Sequence, residues 1–168
     1  MSGRQKRREI NPSDKGVSDD ISWKDALRYA YRLLSYRGRS RKELAERLAG
    51  KGFESEGIER AIERLEACGL IDDRARAETL KRTAAEAKNL GKSGAMQYLR
   101  RMGIERPVAE DALGGYDELD AARRFLRRKM RTIKGELDFA AKKKIGDSLR
   151  RRGFSTDTIR KAFTIDEM

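Results

Sequence analysis

The chain has 168 residues, with 40 Lys and Arg against 28 Asp and Glu, no histidine, a single cysteine and 38% hydrophobic residues. The lone Cys68 excludes an internal disulfide, and without histidine a zinc site of the usual ligands cannot be assembled. No apolar run approaches the roughly 18 residues that a membrane span needs, and no hydrophobic stretch follows the polar, basic N-terminus, so the expectation is a soluble, cytoplasmic chain with no membrane partner.

Residues 1–20 carry only Ile10 and Val17 as aliphatic positions and are expected to form a disordered polar tail. Helical punctuation then begins with Ser22 as an N-cap and Asp25 at the capping-box position, ahead of Trp23, Leu27, Ala30, Tyr31 and Leu34. Ser40 with Glu43 repeats the box before Leu44 and Leu48, and Gly52 ends that helix. Phe53 bridges the turn, Ser55 is a further cap, and Ile58, Ile62 and Leu65 form a stripe that stops at Gly69. Cys68 falls at the end of that pattern and reads as a buried structural thiol.

Asp72 is an apt N-cap for a long helix through Ala75, Leu80 and Ala87 to Gly91. Ser93 is expected to cap the next helix, with Met96 and Leu99. Gly103 and Ile104 form its turn, and Pro107 suits the first helical position of the following element. After Gly114 and Gly115, Asp117 caps a helix carrying Leu119, Ala122, Phe125, Leu126 and Met130. The scheme closes through Phe139, Ile145, Leu149, Gly153, Phe154, Ile159 and Phe163, with the phenylalanines on apolar stripes.

The same Gly-apolar corner thus occurs three times, at Gly52–Phe53, Gly103–Ile104 and Gly153–Phe154, with the glycines spaced by 51 and 50 residues. Self-similarity at such a period marks one supersecondary unit stacked along the chain. Strand alternation is absent. The expected fold is all-α: three tandem three-helix, helix-turn-helix-like repeats in an elongated, curved array. The repeats are placed at 21–71, 72–115 and 116–168, and each is small enough to need shared burial.

Charge is unevenly spread. Residues 21–120 hold 20 basic and 18 acidic side chains, whereas 121–163 hold 15 basic against Glu136, Asp138, Asp147 and Asp157. A basic field of that kind attracts polyanions and predicts salt-sensitive binding to nucleic acid or to an acidic partner. The candidate contacts are Arg124, Arg128, Lys142, Lys143, Lys144, Arg150, Arg151 and Arg152, with Arg37 and Arg39 beside an exposed Tyr36 at the end of the first helix.

Catalytic readings fail on spacing. Gly91-Lys92-Ser93 lacks the earlier glycine of a phosphate-binding loop, since Glu86 stands there, and no strand precedes it. Asp72 and Asp73, like Asp117, Glu118 and Asp120, open helices, where carboxylates complement the dipole and cap free amides. With no nucleophile and base pair, the chain reads as a binding protein that is not an enzyme and needs no cofactor.

The run Leu34, Ser35, Tyr36, Arg37, then Ser40, Glu43, Leu44, Leu48, Lys51, Gly52, Phe53, then Leu65, Gly69, Leu70, Ile71, Asp72, Asp73 closely resembles the bacterial regulatory protein RecX family. Arg151, Arg152, Gly153, Phe154, Ser155 and Ile159 look like that family's closing motif, and together the motifs span about residues 22–163. Arg76 replaces the family's usual aromatic, and Gly94 and Ala95 stand where it tends toward basic and aliphatic residues. The resemblance implies a modulator of the RecA recombinase in DNA repair, homologous recombination and the SOS response. Such a protein binds in the groove of the RecA filament on single-stranded DNA, restraining ATP hydrolysis, strand exchange and co-protease activity. The partners implied are the RecA filament and single-stranded DNA, with double-stranded DNA a further candidate, and the chain acts as a monomer in the absence of a long heptad pattern. The alternative reading is a sequence-specific double-stranded DNA regulator with one later helix in the major groove.

Overall fold

The computed structural model describes the backbone of residues 12–132 and 138–165, and the side chains within 23–132 and 138–164. Among the described residues there is no strand, and the helices are α1 Pro12–Tyr36, α2 Arg41–Ala49, α3 Ser55–Ala67, α4 Asp73–Glu86, α5 Lys92–Arg101, α6 Arg106–Ala112, α7 Glu118–Met130, α8 Phe139–Arg151 and α9 Thr156–Ile165. They group in threes, each group around its own apolar cluster. Leu44, Leu48, Ile62 and Leu65 fill the first, Leu80, Leu99, Ile104 and Leu113 the second, and Phe125, Leu126, Leu149 and Phe154 the third. Cores this small leave each large side chain carrying a sizeable share of the stability, since burying one is worth about 1.5–3 kcal/mol. The all-α class and the tandem three-helix grouping are thus present in the structure. The chain divides into two compact units between Ile71 and Asp72, so α4–α9 form one unit that holds the second and third groups.

The repeated corner has one geometry. Gly52, Gly103 and Gly153 have φ of +92°, +82° and +81°, the left-handed region that only glycine enters without strain. The residue after each glycine donates its N–H back to the last turn: Phe53 to Leu48 O at 3.2 Å, Ile104 to Leu99 O at 3.1 Å, and Phe154 to Leu149 O at 3.2 Å. That bond satisfies a helix-end carbonyl, and the apolar side chain folds back onto the helix it closes. Ile104 and Phe154 are buried, and Phe53 packs partly buried on the first cluster.

Several expectations need correction. The first helix begins at Pro12 rather than after Ser22, so residues 12–20 of the expected tail are helical, while 1–11 lie outside the described residues, as do Lys134 and Glu136 of the basic segment. A segment too polar to nucleate a helix can still extend one already formed, because propagation costs far less than nucleation. Asp25 is therefore inside a helix and pairs with Arg28 at 3.1 Å. Ser55 and Ser93 are not caps: Glu54 and Gly91 hold those positions, with no side-chain cap bond. The fourth helix stops at Glu86, well short of Gly91, because Asn89 takes φ +48°, a conformation asparagine tolerates better than most residues. Cys68 is exposed, since it caps α3 at its C-terminus beyond the last buried position, Leu65.

Candidate nucleic-acid interface

In the first group Arg37, Arg39 and Arg41 are held by local carboxylates, while Lys42, Arg47 and Lys51 are exposed. Ser40 Oγ accepts from Glu43 N at 3.2 Å, which fixes the start of α2. The Glu43 carboxylate then takes both Arg37, with Nη1 at 3.1 Å from Oε2, and Arg39. Burial alone would raise the Glu43 pKa, but the two guanidinium groups outweigh it and hold the carboxyl below its ordinary value. Arg39 also donates from Nε to Leu33 O at 3.2 Å, and its side chain is only 9% exposed. It therefore braces the corner between α1 and α2. Arg41 similarly joins Glu59 and Glu66, the latter at 2.6 Å. Tyr36 is 79% exposed.

The third group treats its cations differently. Among its described residues the acids are few and engaged: Asp120 pairs with Arg124, Asp147 with Arg150 at 2.9 Å, and Asp157 with both Arg160 and Lys161 at 2.7 Å. Asp138 and Asp117 cap helices, accepting from Ala141 N at 2.7 Å and from Asp120 N at 2.9 Å, as Asp72 does from Ala75 N at 2.9 Å. Lys143, Lys144 and Arg151 are exposed and have no ion-pair partner among the described residues, while Lys142 is half-buried. Phe139 corrects the stripe reading: it is 83% exposed. It lies six residues before the buried Ile145, about 120° away around the helix.

Arg152 and Arg128 lie where the second and third groups meet. Arg152 Nη1 donates to Lys88 O at 2.7 Å with its guanidinium 4.9 Å from the Phe125 ring centre, and Arg128 Nη2 reaches Glu86 O at 3.5 Å. The same junction is sewn by backbone. Gly91 N donates to Arg152 O at 3.0 Å, and a Cβ on Gly91, Gly94 or Gly153 would overlap main-chain atoms of the facing segment. Gly94 thus has a packing reason for departing from the family pattern, and its neighbour Ala95 is fully buried in the second cluster.

Glu118 seals the junction on its other side. Its carboxylate accepts from Lys92 N at 2.9 Å, Ser155 N at 3.2 Å, Ser155 Oγ at 2.9 Å and Thr158 Oγ1 at 2.7 Å. Partial burial pushes its pKa up, but the bonds from Thr158, Lys92 and Ser155 prevail and hold it below the ordinary glutamate value. Tyr116 adds a hydroxyl donated to Leu90 O at 2.7 Å, and burial, with Glu118 nearby, pushes its phenol up to about 12. From sequence Glu118 reads only as a helix-opening carboxylate. Its partners lie 26 to 40 residues away, so no local pattern announces them.

Between the α4–α5 connection and α7 lies a cleft of about 550 Å³, walled by Lys88, Asn89, Phe125, Arg128, Lys129 and Arg152. Arg128 and Arg152 are candidates on sequence alone; Lys88 and Lys129 join them only through the fold. Among the described residues no group of acidic or thiol side chains could hold a metal ion, and no helix is long and apolar enough to cross a membrane.

Comparison with known proteins gives these features a context. Family models described as the first and third three-helix domains of RecX match residues 26–65 and 116–163. The regulatory protein RecX of Chlorobaculum tepidum is 36% identical over 142 residues, covering 84% of this chain and 88% of that protein. That of Prosthecochloris aestuarii is 34% identical over 149 residues, covering 89% and 97%. The crystal structure of RecX from Lactobacillus salivarius superposes with a TM-score of 0.75 at 25% identity, covering 89% of this chain and 99% of that one.

Proposed function

Because this chain belongs to the RecX family of regulatory proteins, we propose that it modulates the RecA recombinase assembled on single-stranded DNA, docking in the groove of that filament and restraining ATP hydrolysis, strand exchange and co-protease activity. The observation that supports this most directly is the excess of cations in residues 121–163, 15 basic side chains against four acidic ones. Lys143, Lys144 and Arg151 stand exposed and unpaired among the described residues of the third group, while the first group neutralises Arg37, Arg39 and Arg41 internally. Charges left without counter-ions on a folded surface are free to displace the cations condensed on a polyanion, which supplies binding without sequence preference. Phe139, exposed one turn before Lys142 and Lys143, adds an aromatic face on which an unpaired base can stack. In this reading the third group faces DNA or an acidic filament surface, and the groups with balanced charge dock on protein.

The test is a titration of the purified protein into RecA filaments on single-stranded DNA, following ATP hydrolysis, with anisotropy of naked single- and double-stranded DNA in the same buffer. Hydrolysis should fall at protein concentrations that leave naked DNA mostly unbound. Unchanged hydrolysis together with one duplex sequence bound far more tightly than others would identify a sequence-specific duplex regulator instead.

A further inference from the structure

The cleft between the α4–α5 connection and α7 gathers Lys88, Arg128, Lys129 and Arg152, and no carboxylate lines it. Arg128 and Arg152 reach the carbonyls of Glu86 and Lys88, at the C-terminal end of α4 and just beyond it. Capping of that helix end is the simplest role for them, yet it accounts for little of the charge, because a helix C-terminus presents only about half a negative charge. Lys88 lies 5.0 Å from the centre of the Tyr98 ring and Lys129 5.9 Å from that of Phe125. Aromatic faces steady a cation but leave it a cation. Four positive groups therefore share one concavity with a small fraction of the opposing charge.

We propose that this cleft is a site for nucleotide phosphate, with Lys88, Arg128 and Lys129 as its ligands and Arg152 as the brace that holds the Lys88 turn against α7. Its volume of about 550 Å³ falls within the range of small-ligand sites, roughly 300–1,000 Å³, enough for one nucleotide and too little for a duplex. The phosphate has two possible sources, a single strand laid across the cleft or a free nucleoside triphosphate. The first deepens the nucleic-acid reading above and rests on it; the second does not. Lys88 belongs to the second group and Lys129 to the third, so an occupied cleft also favours the docked arrangement of the two by mass action.

The full chain is titrated with two probes, fluorescein-labelled oligo(dT) and a fluorescent ATP analogue, comparing wild type, Lys88→Ala with Lys129→Ala, and Lys143→Ala with Lys144→Ala. Lys88 and Lys129 are exposed, so the cleft variant should keep its helical circular dichroism. Where the phosphate belongs to a strand, oligonucleotide affinity should fall about tenfold, and the slope of log affinity against log salt should become shallower by about 1.4, or about 0.7 for each single-strand phosphate no longer neutralised. Loss of the ATP analogue in the same variant assigns the site to free nucleotide, and loss of the oligonucleotide alone assigns it to a strand. Wild-type affinity and slope for both probes in the cleft variant overturn the proposal. If Lys143→Ala with Lys144→Ala is then impaired, the general nucleic-acid face survives without the cleft; if it is not, both readings fail.

Discussion

Gly52 and Gly153 occupy the same corner in the first and third groups, with φ of +92° and +81° and matching bonds from the residue that follows. Around Gly52 a Cβ would meet nothing within 4 Å, whereas at Gly153 it would overlap the backbone of Gly94 and Ser93. The first corner serves its own helix pair only, and the third is also a docking surface for the second group. Charge follows the same division. In the first group Arg37, Arg39 and Arg41 find carboxylates at home. The third sends Arg152 across the junction and leaves Lys143, Lys144 and Arg151 outward. One repeated unit has been adapted by small changes to two jobs, one self-contained and one outward-facing.

The sharpest way to break that comparison is to put the same methyl group at both corners. Gly52→Ala should cost only the left-handed backbone strain, about 1–2 kcal/mol. Gly153→Ala adds overpacking against Gly94, for about 1–3 kcal/mol more, and it should loosen the second group from the third. Urea denaturation of both variants measures the difference, and equal losses would mean that the close approach at Gly153 contributes nothing to stability.

Glu118→Ala attacks the same junction from its polar side. Removing a carboxylate that accepts from Lys92, Ser155 and Thr158 should cost about 1.5–3 kcal/mol, the range for hydrogen bonds to a charged group. The pH dependence has a definite sign. Because the folded Glu118 pKa is held below the ordinary glutamate value, its contribution is fully present above about pH 4.3 and is lost as pH falls through the folded value. Wild type and Glu118→Ala should therefore converge in stability on acidification, and a gap that stays constant would show that the Glu118 charge does not stabilise the junction.

What sequence can and cannot reveal divides along the same line. The corners at Gly52, Gly103 and Gly153 are legible because a glycine followed by an apolar residue at the end of an apolar helix has one common outcome, and the capping role of Ser40, Asp72 and Asp117 is equally local. Arg39 is ambiguous in sequence because a guanidinium four residues from a carboxylate can serve either a ligand or its own fold, and its bond to Leu33 O comes from a turn that no local pattern announces. Glu118, Gly91 and Lys88 are silent, since their partners lie 26 or more residues away along the chain. Phe139 escapes its stripe because its helix starts at that residue, and one apolar side chain in a first turn does not fix which face is buried.

The charge contrast can be sharpened by reversal. Changing Lys142, Lys143 and Lys144 to glutamate should weaken filament binding by about tenfold or more, close to 1.4 kcal/mol, and flatten its salt dependence. Reversal of the exposed Arg47 and Lys51 in the first group should do much less. Anisotropy across a salt series reads both, and equal effects would show that net charge matters while its location does not.

The smallest expected effect tests the other half of the comparison, that cations of the first group are committed to the fold. Arg41 reaches Glu59 and Glu66 across α2 and α3, with its side chain 36% exposed. Ion pairs at such exposure are screened by water and salt and are worth about 0.2–1 kcal/mol each. Arg41→Ala should thus lower stability by about 1 kcal/mol or less, with the loss shrinking in high salt, and should leave naked-DNA affinity unchanged. Removing a cation frees two carboxylates, Glu59 and Glu66, so any polyanion approaching this face would meet a net change of one charge in the repulsive direction. A measurable loss of naked-DNA affinity in Arg41→Ala would therefore place the first group at the polyanion, and the division of labour between the two groups would fall with it.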